Sequence, residues 1–170
     1  ELGWADTHYS QIFATANLIS GIAGMIVGGF LIDYFGKVKM ISIYLILLIL
    51  LVGAMSFLNI YWQNEIFVTG FIIGFYVLLT FTTIAIFASA MQLCWKRVAA
   101  TQFTLYMAIS NLGLAAGAAI MGQLKGIFDR EYVILAYIVF ASVMLVLIRF
   151  INFEKHQKRV DDLELRYLEK

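Results

Sequence analysis

Ile43-Tyr44-Leu45-Ile46-Leu47-Leu48-Ile49-Leu50-Leu51 runs without a charge and without polar alternation, and its reading decides the fold class. A strand of a membrane barrel alternates polar and apolar side chains over about ten residues; this tract does not. It lies inside a window of 25 residues, Met40 to Asn64, that holds no Asp, Glu, Lys or Arg. A helix rises 1.5 Å per residue, so about 20 apolar residues cover the roughly 30 Å of a bilayer's hydrocarbon. Lipid offers backbone amides no water, which leaves only helices and closed barrels able to span it. The tract is a membrane helix.

The same test applies along the chain. Charge-free windows of 26 residues (Thr7 to Ile32), 30 (Ile66 to Trp95) and 27 (Val98 to Leu124) are long enough to span. A last window of 17, Tyr132 to Ile148, reaches that length if Arg149 extends its guanidinium to the interface. Spans are expected over 8–33, 39–59, 65–93, 100–124 and 131–151, as a transmembrane bundle over 1–152 with a charged tail over 153–170. Apolar residues make up 62% of the 170 and charged ones 14%, against about a quarter charged in soluble domains. Mean hydropathy is +0.88. A soluble all-α fold is excluded.

Charge placement sets orientation. If the chain starts outside, the inner segments carry Lys37, Lys39, Lys96, Arg97, Arg149, Lys155, Lys158, Arg159, Arg166 and Lys170, leaving only Lys125 and Arg130 outside. That asymmetry is the positive-inside pattern, with a cytoplasmic tail. Glu1, Asp6, Glu65, Asp129 and Glu131 fall on the outer side. Net charge is +1, so nucleic acid is not an expected partner. His8 and His156 lie far apart and Cys94 is the single cysteine, so neither a metal centre, a cofactor nor an internal disulfide is expected. No cleavable signal is visible in Glu1 to Ser10. Proline is absent, so bends are expected only at glycines. An odd number of spans without an initiator Met reads as a piece of a larger protein, whose other half is a partner alongside the lipid bilayer.

Polarity differs between helices. The second and fifth are almost wholly aliphatic, whereas the first, third and fourth carry Asn17, Ser20, Thr80, Thr82, Thr83, Gln102, Ser110 and Asn111. Polar groups in a span face other helices or a watery cavity, so helices one, three and four should line an interior and two and five should brace it from the lipid side. Ala16, Ser20, Gly24 and Gly28, then Gly70 and Gly74, then Gly113 and Gly117, recur every four residues, as close-packed helix faces do. In the tail, Glu154, Lys158, Asp162 and Arg166 follow the spacing of a solvated helix, with Val160, Leu163 and Tyr167 as a face that a membrane surface could take.

A sharper pattern is Gly29-Phe30-Leu31-Ile32-Asp33-Tyr34-Phe35-Gly36-Lys37-Val38-Lys39. Asp33 stands at a helix C-terminus, where the dipole disfavours an anion, and Gly36 permits a tight turn. This run resembles the loop signature of the major facilitator superfamily, Gly-x-Leu-x-Asp-x-x-Gly followed by basic residues. Gly29, Leu31, Asp33, Gly36 and Lys37 match it; Tyr34 departs from it, standing where a basic residue is common. A second run, Met91-Gln92-Leu93-Cys94-Trp95-Lys96-Arg97-Val98-Ala99-Ala100-Thr101-Gln102-Phe103-Thr104-Leu105 with Asn111-Leu112-Gly113, resembles the tenth-to-eleventh helix region of AmpG-type muropeptide permeases.

The resemblance implies an all-α integral membrane fold whose five helices, eight to twelve, form most of one six-helix half. It implies a secondary active permease that moves a small hydrophilic solute, muropeptide-like and proton-coupled, by alternating access in a bacterial inner membrane. Helices seven, eight, ten and eleven of that half line the cavity in this family. The cavity-lining candidates here are then Tyr9, Asn17, Ser20, Tyr76, Thr80, Thr83, Gln102, Tyr106, Ser110 and Asn111, with Asp33 as a gating element. A structural or sensory membrane subunit is the competing class. A membrane enzyme is the more remote one, since no His, Asp or Glu cluster lies at mid-depth.

Overall fold

Each charge-free window becomes one helix. In the computed structural model, which describes residues 6–168, α1 covers Asp6–Phe35, α2 Lys37–Phe57, α3 Glu65–Gln92, α4 Ala99–Ile127 and α5 Arg130–Phe150. A sixth helix, α6, covers Phe153–Leu168. Five helices among the described residues are long and apolar enough to cross a membrane, and none of those residues is in a strand. The boundaries agree with the charge-derived spans to within a helical turn. Glu1 and Lys170, counted in the charge distribution, lie outside the described residues.

Local chemistry sets the ends. Gly36 has φ 92° and ψ 141°, a positive-φ conformation that reverses the chain between α1 and α2 and that glycine adopts far more readily than a residue with a Cβ. The Asn64 side chain caps α3, its Oδ1 accepting from Ile66 N–H at 3.0 Å and Phe67 N–H at 3.2 Å. The Trp62 indole donates to Met55 O at 2.7 Å and ties the α2–α3 connection back onto α2.

α3 is the hub of the bundle, packing along α1 and α2, and α2 packs in turn along α5. Where α1, α2 and α3 meet, the core holds Ile32, Met40, Ile41, Tyr44, Phe81 and Ala85. The Tyr44 ring stands edge-on to Phe81 with centroids 5.3 Å apart. α2 buries Met40, Ile41, Tyr44, Leu48 and Val52 while Ile46, Leu47 and Leu50 stay exposed. It is therefore a sandwiched helix with one outer stripe, more enclosed than the lipid-side brace expected of it. α4 touches α3 and α5 only lightly, and none of its residues is buried.

The small-residue faces divide sharply. On α1, Ala16, Ser20, Gly24 and Gly28 are all buried against α3. A Cβ at Gly24 would lie 2.8 Å from both Thr80 Cγ2 and Ile84 Cδ1, and one at Gly28 would lie 3.2 Å from Phe81. The helix also widens there: Gly24–Gly28 forms a π turn, with Gly29 N–H bonded to Gly24 O. On the other helices the expected faces meet little. Gly70, Gly113 and Gly117 have nothing within 4 Å of a built Cβ, and Gly74 meets only Leu51 at 3.7 Å. The reason for the α4 pair is that α4 hardly packs on this chain's own helices.

Candidate functional site

The Asp33 loop is built by the end of α1. Ile32 O accepts from Gly36 N–H at 3.0 Å, and Gly36 O accepts from Met40 N–H at 3.1 Å. Helix thus passes into helix through a single positive-φ residue. Leu31 packs against the α1–α2–α3 core, which anchors the turn. Gly29 has open space beside it. Asp33 is exposed, and the ion pairs among the described residues do not include it. Lys39 reaches back over the Phe35 ring at 5.8 Å.

Asp33, Gly36 and Lys37 open onto a cavity of about 560 Å³. Ser89 and Gln92 from the end of α3, and Glu154, Gln157 and Lys158 from α6, complete its polar wall. None of these five was among the expected site residues, although Glu154 and Lys158 were read as charges of a solvated tail helix. The four-residue charge spacing of the tail marks a helix, yet nothing in it marks where the helix lies. The Gln157 Oε1 atom is buried without a hydrogen-bond partner.

The ten cavity-lining candidates are not gathered into one pocket. Ser20 is 1% exposed and bonds to Asn17 O at 3.0 Å, and Thr80 packs against Gly24, so both lie in the α1–α3 seam. Asn17 is exposed and donates to Phe13 O at 2.8 Å. Tyr76, half-buried, stands edge-on to Phe13 at 5.9 Å. Thr83 donates to Leu79 O at 2.9 Å, and Tyr9 is half-buried near the start of α1. On α4, Gln102 is committed elsewhere: its Oε1 accepts from Trp95 N–H at 2.7 Å and closes the turn between α3 and α4. Tyr106 is half-buried, and Ser110 and Asn111 are exposed.

The turn from Leu93 to Val98 is itself ordered by its side chains. Cys94 Sγ donates to Ala90 O at 3.2 Å and is buried, and that burial raises the thiol above its ordinary pKa. Residues Leu93-Cys94-Trp95 and Gln102, which carried the second resemblance, thus make a folded turn. At the opposite end of the bundle, His8 Nε2 meets Glu65 Oε1 at 2.9 Å, joining the starts of α1 and α3.

No group of His, Cys, Asp and Glu among the described residues could hold a metal. No curated protein and no solved structure matches the chain. The model of the Major Facilitator Superfamily matches residues 1–166, nearly the whole length, including the Gly29–Lys37 loop and all five spans. On that match the chain, a multi-pass integral membrane protein, belongs to the major facilitator superfamily.

Proposed function

We propose that the chain supplies helices eight to twelve of an alternating-access permease for a small hydrophilic solute, muropeptide-like and proton-coupled. Superfamily membership supports secondary transport in general. The observation that carries the finer reading is α4. This helix is long and apolar enough to span, buries no residue against its neighbours, and presents Ser110 and Asn111 exposed. A hydroxyl and an amide do not sit facing hydrocarbon without cost. A water-filled path shared with the other half of the transporter satisfies them.

In this reading the end bearing Gly36, Lys96 and α6 is cytoplasmic, and Asp33 holds that side closed against a partner from the other half. Rocking of the two halves then exposes the path alternately. Muropeptide-like solutes, which carry sugar hydroxyls and amides, suit a lining of Asn, Ser, Thr and Tyr. The five spans carry no Asp, Glu or His at mid-depth, so the proton is carried at Asp6, His8 or Asp33 or in the other half.

Uptake into proteoliposomes holding the whole transporter tests this. A radiolabelled disaccharide-peptide from cell wall should accumulate when the outside is acidic, and a protonophore should abolish the accumulation. Uptake of a different small polar solute, with none of the disaccharide-peptide, would keep the transporter and discard the muropeptide assignment.

A further inference from the structure

The tail was expected to be a solvated or membrane-surface helix; in the structure most of its residues are exposed, and a few side chains join it to the basic end of the bundle. The residues of α6 withdrawn from solvent are Phe153, Gln157, Val160 and Glu164, one stripe at alternating steps of four and three, the spacing of a helix seated on a protein surface. Leu163, from the face once assigned to lipid, is 52% exposed. The first half of α6 borders the 560 Å³ cavity across from Asp33, Gly36 and Lys37. The second half meets the α3–α4 turn. There the Trp95 indole N–H donates to Glu164 Oε2 at 2.5 Å, and the Trp95 ring stands edge-on to Tyr167 at 6.1 Å. Arg97 stacks over the Tyr167 ring at 3.6 Å and reaches Glu164 Oε1 at 3.9 Å. Between the two, the His156 ring nitrogen lies 3.3 Å from Leu93 O.

From this geometry we propose that α6 is a strap that holds the α3–α4 turn closed, through Glu164 and Tyr167 on Trp95 and Arg97, and so keeps Cys94 out of solvent. A charge-assisted indole hydrogen bond and a guanidinium stacked on an aromatic ring are each specific in geometry. All of them sit at the interface, where they can break and re-form without unfolding a span. Tyr167 and Glu164 are three residues apart, so one rotation or lift of α6 disengages both.

The experiment uses the whole transporter in native membranes and needs no solute, so its outcome is independent of any uptake result. The readout is the rate at which N-ethylmaleimide modifies Cys94, followed on its own peptide by mass spectrometry, with amide deuterium exchange over 93–98 alongside. In a Glu164→Ala/Tyr167→Ala variant both rates should rise, the labelling by roughly tenfold, as local opening of a turn predicts. Exchange over the α2 core, 40–52, should stay at the parent value and show that the bundle is folded. Trp95→Phe, which removes only the indole donor and keeps an aromatic ring against Tyr167, should give a smaller rise in the same direction. Unchanged labelling and exchange in a folded double variant overturn the strap, and so does an unchanged Trp95→Phe if the double variant fails to fold.

Discussion

At the scale of single residues, Gly24 and Gly53 make the sharpest contrast. A Cβ at Gly24 would already collide with Thr80 Cγ2 and Ile84 Cδ1 at 2.8 Å, whereas at Gly53 the nearest atom is Ile138 Cδ1 at 4.0 Å. Gly24→Leu should therefore push α1 off α3 and cost about 1–3 kcal/mol, as overpacking does. Gly53→Leu should cost less, since its Cβ meets Ile138 only at 4.0 Å. Unfolding of purified protein in mixed micelles compares the two, and equal losses would remove the close-packed seam. The glycine spacing on α1 made this contact legible in the sequence. The same spacing on α4 pointed to Gly113 and Gly117, which meet nothing here. Spacing reports what a face permits; which helix arrives is decided by the fold. Ser20 and Gln102 illustrate the converse. Each was read as a lining residue because it is polar and lies on a helix that lines the cavity in the resembled family, yet one is buried in the seam and the other closes the Trp95 turn.

At the scale of elements, the five spans were legible because hydrocarbon thickness imposes a length that charge-free windows reveal directly. Their ends follow from local chemistry in the same way. Asn64 is an example: its side chain accepts two amide hydrogens of the first turn of α3, and α3 is the helix on which α1 and α2 both pack. Asn64→Ala should cost about 1 kcal/mol, with early exchange of the Ile66 and Phe67 amides as its local signature; unchanged exchange there would show that the cap contributes nothing. The π turn at Gly24–Gly28 and the seat of α6 were not legible. A π turn depends on how tightly α1 must approach α3, and the docking of α6 depends on single partners, Trp95 and Arg97, that lie far away in sequence.

At the scale of the whole molecule, both ends of the bundle are tied, by His8 to Glu65 at one and by α6 at the other. The basic residues gather at the end that α6 covers. Cysteines introduced at Asn64 and Lys125 should react with an impermeant reagent applied outside intact cells, and those at Val38 and Gln157 should not. Labelling in the opposite sense would invert the assignment of the cytoplasmic side. In the proposed cycle the exposed polar face of α4 lines a path that opens to each side in turn. The most direct test is a single cysteine at Ser110, in a Cys94→Ser background of the whole transporter, labelled with an impermeant maleimide in right-side-out and in inside-out vesicles. Modification from both sides is expected. If the Asp33 carboxylate holds the α6 end closed, Asp33→Asn should raise the rate in inside-out vesicles and lower it in right-side-out ones. Labelling from neither side, or from one side only with no response to Asp33→Asn, would contradict this cycle.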